Sequence, residues 1–327
     1  MATPTLDTAG TRVGEITIGT SGLGRGTRAG SPDEARAVDL ARAILTGPFA
    51  TVDTSNAYAG GRAEGVLGLA LAQLRADPAV QSAQITTAQI TTARLITKVD
   101  ADPVTGVLDR DRVRRSYEES LARLGMDRVE LLHLHDPYTI TPAEAFRDGG
   151  VVDALCELRD TGAVDAIGIA AGPIPLLREY VETGVFDALL THNRYTLVDR
   201  SAAPLLEQAR RRGMTTFNAA PFGAGILASG VRPGATYGYR PASAELVAWA
   251  TRAEGVCVAH GVTLRAAALH FSLRSPLVDS TVVGVSSAGR LADLEALRTI
   301  AIPAELWTDL DALGPAPSPI SDPEDAA

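Results

Sequence analysis

A chain of 327 residues, 46% hydrophobic and 21% charged, carries enough apolar material for a sizeable core. A formal net charge of −9 argues against nucleic acid and anionic membrane as partners, since both require concentrated Lys and Arg. Cys156 and Cys257 stand far apart in apolar helical stretches, which suits neither a disulfide framework nor metal spacing.

The opening residues MATPTLDTAG lack the basic start and apolar centre of a signal peptide, and no apolar run approaches the ~18–20 residues that span a bilayer, so a cytoplasmic protein is expected. Short β-branched runs then alternate with longer amphipathic ones. Strands are expected at EITIGT (15–20), FATVDTS (49–55), ARLITKV (93–99), VELLHLHD (129–136), VDAIGIAA (164–171), DALLTHNRY (187–195), TTFNAAP (215–221) and STVVGVSS (280–287). The first helix has a start signal, with Ser31 as cap, Pro32 in the first turn and Glu34 completing a capping box. A second clear helical pattern, LDRDRVRRSYEESLARLG, covers 108–125. Strands alternating with helices imply a parallel sheet with right-handed crossovers, and eight such units close into one (β/α)8 TIM barrel over residues 1–315, with extra loops and a C-terminal helix. Three segments fall outside the pattern. AQITTAQITTA (83–93) reads as an inserted loop or an extended strand entry, ASGVRPGATYGYRPAS (228–243) as a long loop able to act as a lid, and 316–327 as a disordered tail.

In such a barrel the chemistry belongs at the carboxyl ends of the strands. The second strand ends in Asp53 and leads to Tyr58, the third carries Lys98, and the fourth ends in His135. Each has an ordinary reading: turn chemistry for Asp53 and Tyr58, a strand-end charge for Lys98, a satisfied strand histidine for His133 or His135. Together on three consecutive strands they define a site for proton transfer coupled to hydride transfer. A free phenol has a pKa near 10, too high for proton exchange at neutral pH. A nearby ammonium lowers it by about 1–3 units. Lys98 is expected to do this for Tyr58, Asp53 to hold Lys98 charged, and His135 to orient a substrate carbonyl.

Two rival readings come from short motifs. GRGTRA (24–29) fits the G-x-G-x-x-A of a dinucleotide-binding open sheet, but the helix starts near Ser31, beyond the glycines. HLH at 133–135 suggests a metal-dependent barrel hydrolase, yet the chain holds five histidines, and His260 and His270 fall in helical stretches, so no metal is expected.

The motifs VDTSNAYAGGRAE, LITKV and RVELLHLHDP, followed by IGIAAG, HNRYTLVDR, NAAPFGAGIL and VVGVSS, resemble the aldo-keto reductase superfamily over nearly the whole chain. The resemblance puts Asp53, Tyr58, Lys98 and His135 at the catalytic positions. It implies a reversible, metal-free, NAD(P)(H)-dependent exchange between carbonyl and alcohol, with Tyr58 as general acid in reduction and general base in oxidation. Cofactor contacts are expected from His192 and Asn193, from Pro221, Phe222, Gly223 and Gly225 in the loop after the seventh strand, and from Ser286, Ser287 and Arg290 at the start of the last barrel helix. Ala170, Ala171 and Ala219 depart from the family pattern there. Val285 stands where many NADP-preferring members have Lys, which favours NAD, while Arg290 is the nearby cation for a 2′-phosphate. HNRYTLVDR and NAAPFGAGILASG look most like the branch of sugar and pyridoxal dehydrogenases, implying a small carbonyl, sugar or alcohol substrate, with oxidation of a hemiacetal-type hydroxyl. The same superfamily includes channel β-subunits, so a nucleotide-binding regulator with little turnover is the alternative.

Overall fold

The computed structural model describes residues 14–77 and 94–322. Strands β1 (Ile16–Gly19), β2 (Thr51–Asp53), β3 (Arg94–Val99), β4 (Leu131–His135), β5 (Ala166–Ala171), β6 (Ala188–His192), β7 (Thr215–Ala219) and β10 (Ser280–Gly284) close into a parallel barrel in the order β1-β10-β7-β6-β5-β4-β3-β2. All eight fall within the expected windows, and closure sets aside the open-sheet alternative. Strands buried on both faces need no alternation of polar and apolar residues, and AIGIAA of β5 is buried throughout. The interior holds Ile96, Leu131, Ala166, Ala188, Leu190, Phe217 and Val282. Gly168 makes room there for His133, because a Cβ would fall 2.3 Å from the His133 Nδ1.

The outer layer is formed by helices such as α1 (Pro32–Leu45), α2 (Arg62–Ala76), α3 (Arg110–Leu124), α4 (Pro142–Ala145), α5 (Val151–Asp160), α6 (Ile174–Glu182) and α7 (Ala203–Arg211). The Ser31 hydroxyl accepts from the Glu34 N–H as the sequence implies, but the capping box is incomplete. The Glu34 carboxylate accepts instead from the Gly30 N–H and pairs with Arg62. In α3, Asp109 accepts from the Arg112 N–H at 2.8 Å, and the helix stops at Gly125 in the left-handed region.

The long loop after β7 is partly ordered as a short helix, α8 (Ile226–Ser229), and a two-stranded hairpin, β8 (Thr236–Tyr237) with β9 (Arg240–Pro241). Helices α9 (Ala244–Ala259), α10 (Leu264–Leu273), α11 (Ala288–Arg298) and α12 (Ala304–Asp311) complete the chain. Among the described residues no single helix is long and apolar enough to cross a membrane. The insertion AQITTAQITTA lies outside the described residues.

The expectation of a disordered tail from residue 316 does not hold for residues 316–322. The Ser318 hydroxyl donates to Asp199, and the Asp322 carboxylate accepts from the Ile174 N–H at 2.9 Å and from Arg194 Nε at 2.8 Å. Specific ionic and backbone contacts outweigh a composition that alone reads as unfolded.

Candidate active site

Three consecutive strand ends deliver the central groups. Parallel pairing sets Asp53 beside Ile96 and Lys98 beside His133, so Asp53, Lys98 and His135 reach the same end of the barrel. The Lys98 ammonium is fully buried and donates to Asp53 Oδ1 at 2.7 Å and to the Thr54 carbonyl at 2.6 Å. It stands 4.5 Å from the centroid of the Tyr58 ring. The Tyr58 and His135 rings meet edge to face, with centroids 5.6 Å apart.

The loop that presents Tyr58 is braced from behind by α3. Asn56 donates to the Ser116 carbonyl at 3.1 Å and accepts from Arg112 Nη2 at 2.9 Å, while Arg123 donates to the Asn56 carbonyl. Arg112 in turn pairs with Glu119 at 3.0 Å.

The electrostatics correct one expectation. Burial pushes the Tyr58 phenol up to about 12; Lys98 pulls it down, but Asp53 partly cancels that pull. The phenol is therefore the resting form, not a phenolate. Burial also works against the Lys98 ammonium, but Asp53 and Tyr58 hold its pKa above the ordinary lysine value. The amine stays charged, ready to stabilise a phenolate formed during proton transfer.

Asp100, just past the end of β3, was not singled out from the sequence. Its Oδ1 stands 2.6 Å from His135 Nδ1, and its Oδ2 accepts from the Ser55 hydroxyl at 2.6 Å and the Ala57 N–H at 3.0 Å. Burial opposes its charge, but the contacts with His135 and Ser55 keep its carboxyl below the usual range. The usable signal was an acid two positions beyond the buried lysine, on the strand next to the histidine.

A cavity of about 630 Å³ opens at this end, bordered by Asp53, Tyr58, His135, His192, Pro221, Phe222, Gly225, Ser286 and Arg290. Four other sequence-predicted residues stand behind its wall. Lys98 lies beneath Tyr58. Asn193 is buried, its amide 3.1 Å from His192 Nδ1 and its carbonyl accepting from the Tyr237 hydroxyl. Gly223 faces the Tyr237 ring, which a Cβ would meet at 2.1 Å, so its lack of a side chain lets the hairpin pack there. Ser287 caps α11, accepting from the Arg290 N–H at 3.2 Å.

The wall suits a nicotinamide dinucleotide. Small residues, Ala170, Ala171, Ala219 and Gly284, leave width at the strand ends. At the far end the start of α11 offers free N–H groups beside Arg290, and Arg265 brings a second guanidinium whose buried Nε has no partner. Unpaired donors at a helix N-terminus fit phosphate oxygens. Among the described residues no three His, Cys, Asp or Glu side chains are grouped to hold a metal ion.

A closed parallel barrel with a buried amine–carboxylate pair under a phenol and an imidazole defines a narrow class of proteins. The chain belongs to the aldo/keto reductase family, whose model matches residues 15–315. It is 34% identical over 212 residues to pyridoxal 4-dehydrogenase of Microbacterium luteolum, covering 62% of each chain. It is 36% identical over 204 residues to D-threo-aldose 1-dehydrogenase of a Pseudomonas species, covering 61% of this chain and 60% of that one. The chain thus spans about three fifths of the length of these relatives. Among solved structures, an aldo-keto reductase from Klebsiella pneumoniae in complex with NADPH superposes with a TM-score of 0.71 at 20% identity, over 98% of both chains. The holo form of one from Bacillus halodurans gives 0.72 at 20% identity, over 95% of this chain and 96% of that one. Both likenesses concern the fold.

Proposed function

We propose that the protein is an NAD(P)(H)-dependent oxidoreductase acting on a small sugar-like alcohol or its carbonyl counterpart. The observation that carries this reading is the Lys98–Asp53 pair buried beneath Tyr58, with His135 across the same cavity. A bound nicotinamide would supply or accept the hydride. His192, Pro221, Phe222, Gly225, Ser286, Arg265 and Arg290 would border it. The residues of the chain handle the proton. In reduction the neutral Tyr58 gives its proton to the carbonyl oxygen, and the Lys98 charge stabilises the phenolate left behind. In oxidation the same groups run in reverse. The resemblance to sugar and pyridoxal dehydrogenases supports a hemiacetal-type hydroxyl as the reacting group, and Val285 supports NAD as the preferred cofactor.

The test is a panel of aldoses, aldehydes and alcohols with NAD and with NADP, followed through the absorbance of the reduced nicotinamide. Tyr58→Phe is expected to lower turnover by about 10²–10⁴-fold, with cofactor affinity changed only a few-fold. A Phe variant that keeps most of the activity would refute the proton-donor role. Tight cofactor binding with no turnover of any substrate would favour the regulatory alternative.

A further inference from the structure

Hydrogen-bond accounting around His135 leaves little freedom for its ring. The neighbours of Nδ1 are Asp100 Oδ1 at 2.6 Å and Ser55 Oγ at 3.3 Å. The Ser55 hydroxyl proton is committed to Asp100 Oδ2, and the Ala57 N–H also points at that oxygen. Every group facing Nδ1 is therefore an acceptor, and Nδ1 must carry the proton. In the neutral ring Nε2 is then bare. It is on the side of Asp136, whose Oδ2 is 3.6 Å away, and His135 and Asp136 both border the cavity. That separation exceeds a hydrogen bond, but one hydroxyl oxygen can reach both groups.

We propose that Asp100 is a positioning residue that fixes His135 with an accepting Nε2 toward the substrate, so that the resting site binds the hydroxyl of an alcohol as donor. The inference rests on the oxidoreductase reading above and names the group that reading leaves open. In the oxidation the carbinol C–H bond breaks and its hydrogen leaves with both electrons to the oxidised nicotinamide. The O–H proton leaves to a base of the site, and the C–O bond becomes C=O, giving carbonyl, reduced nicotinamide and one proton. His135 Nε2 accepts the hydrogen bond of the bound alcohol before reaction, and as the hydride leaves, that single proton turns to the ionised Tyr58 oxygen, the reverse of the proton transfer in reduction. A carbonyl has no proton to give and needs the imidazolium.

The charged and titratable groups around the ring come from every adjoining element. They are Asp100 and Lys98 from β3 and its end, His133 and Asp136 from β4 and its end, Tyr58 from the loop after β2, Asp53 paired to Lys98, and His192 at the end of β6. His133 is buried and held neutral, first by burial and then by Lys98, so it adds no charge.

Two measurements test the proposal. In protein labelled with ¹⁵N-histidine and assigned with His135→Gln, the neutral ring should show a protonated Nδ1 and a bare Nε2. In Asp100→Asn the amide oxygen stays with the Ala57 and Ser55 donors, so the amide nitrogen faces Nδ1 and the tautomer should reverse. A neutral wild-type ring protonated at Nε2 overturns the proposal, and this readout needs neither turnover nor a folded Asp100 variant. The second measurement is kcat/KM in both directions for wild type and Asp100→Asn. The variant should also lose at least about a hundredfold in kcat/KM with its cofactor Kd within about twofold. At fixed pH and cofactor affinity the reaction equilibrium ties the two directions together, so both should fall alike. Lost activity with an unreversed ring tautomer in Asp100→Asn assigns Asp100 a merely structural role and overturns the proposal. Absence of nicotinamide-dependent turnover of every aldose, aldehyde and alcohol sinks the oxidoreductase reading while leaving the ring tautomer intact, so the two failures are distinguishable.

Discussion

Lys98 and Asp53 show why one residue cannot be judged without its neighbour. Both are buried, and each is tolerable only because the other is there. Lys98→Met is expected to cost about 3–5 kcal/mol in denaturant unfolding, since Asp53 would remain as an uncompensated buried charge. Adding Asp53→Asn should recover much of that stability without recovering turnover. Asp100 gives a pH prediction. Its carboxyl is held below the usual range, so the folded state gains stability from it above the ordinary carboxylate pKa of about 4 and loses that gain as pH falls through the folded value. Thermal unfolding of wild type should therefore lose its advantage over Asp100→Asn on acidification. The four central residues could be read together because Asp53, Lys98 and His135 lie at or beside strand ends, where side chains converge, and Tyr58 follows in the loop after one of them. The rise of the Tyr58 pKa was not, because desolvation depends on how deep a ring sits, which no spacing states. Asp100 was hidden for a related reason: its partner is a histidine on another strand.

At the scale of elements, the barrel strands were readable from β-branched runs, and their ends moved by at most three residues. The hairpin β8–β9 was not read from the sequence. Its turn places Gly238 and Tyr239 at φ 56° and 66°, and a tyrosine in the left-handed region is an unusual occupant of a tight turn. The bracing of the Tyr58 loop by α3 was equally invisible, since Asn56, Arg112 and Arg123 meet only after two helices and a strand have packed. Asn56→Ala removes the anchor of that loop. It should cost about 1–3 kcal/mol, measured by denaturant unfolding, and lower kcat more than it raises KM, because misplacing Tyr58 affects chemistry more than binding. Gly68 marks the closest approach of α2 to α3, where a Cβ would fall 1.9 Å from the Arg123 carbonyl oxygen. Gly68→Ala should therefore destabilise by at least about 1–3 kcal/mol in the same assay.

Over the whole molecule, the barrel topology was legible and the course of the chain end was not. A segment rich in Pro, Ser and acidic residues carries no apolar pattern, so nothing local indicates that Asp322 meets Arg194, two residues past His192. Asp322 and Arg194 are largely buried. Asp322→Ala is expected to lower stability by about 1–3 kcal/mol, read as a fall in Tm, and to weaken cofactor binding modestly by loosening the segment that carries His192 and Asn193. A variant with unchanged Tm would mean that the tail merely rests on the surface.

Lys98 is also the only lysine in the chain, and it is fully buried. An acylating reagent added to the native protein should thus find no primary amine except the chain terminus. Slow modification of Lys98 would then clock the rare openings of the strand cylinder around it. A ligand filling the mouth should slow that clock, so one mass measurement over time would follow both occupancy and integrity without any substrate being known.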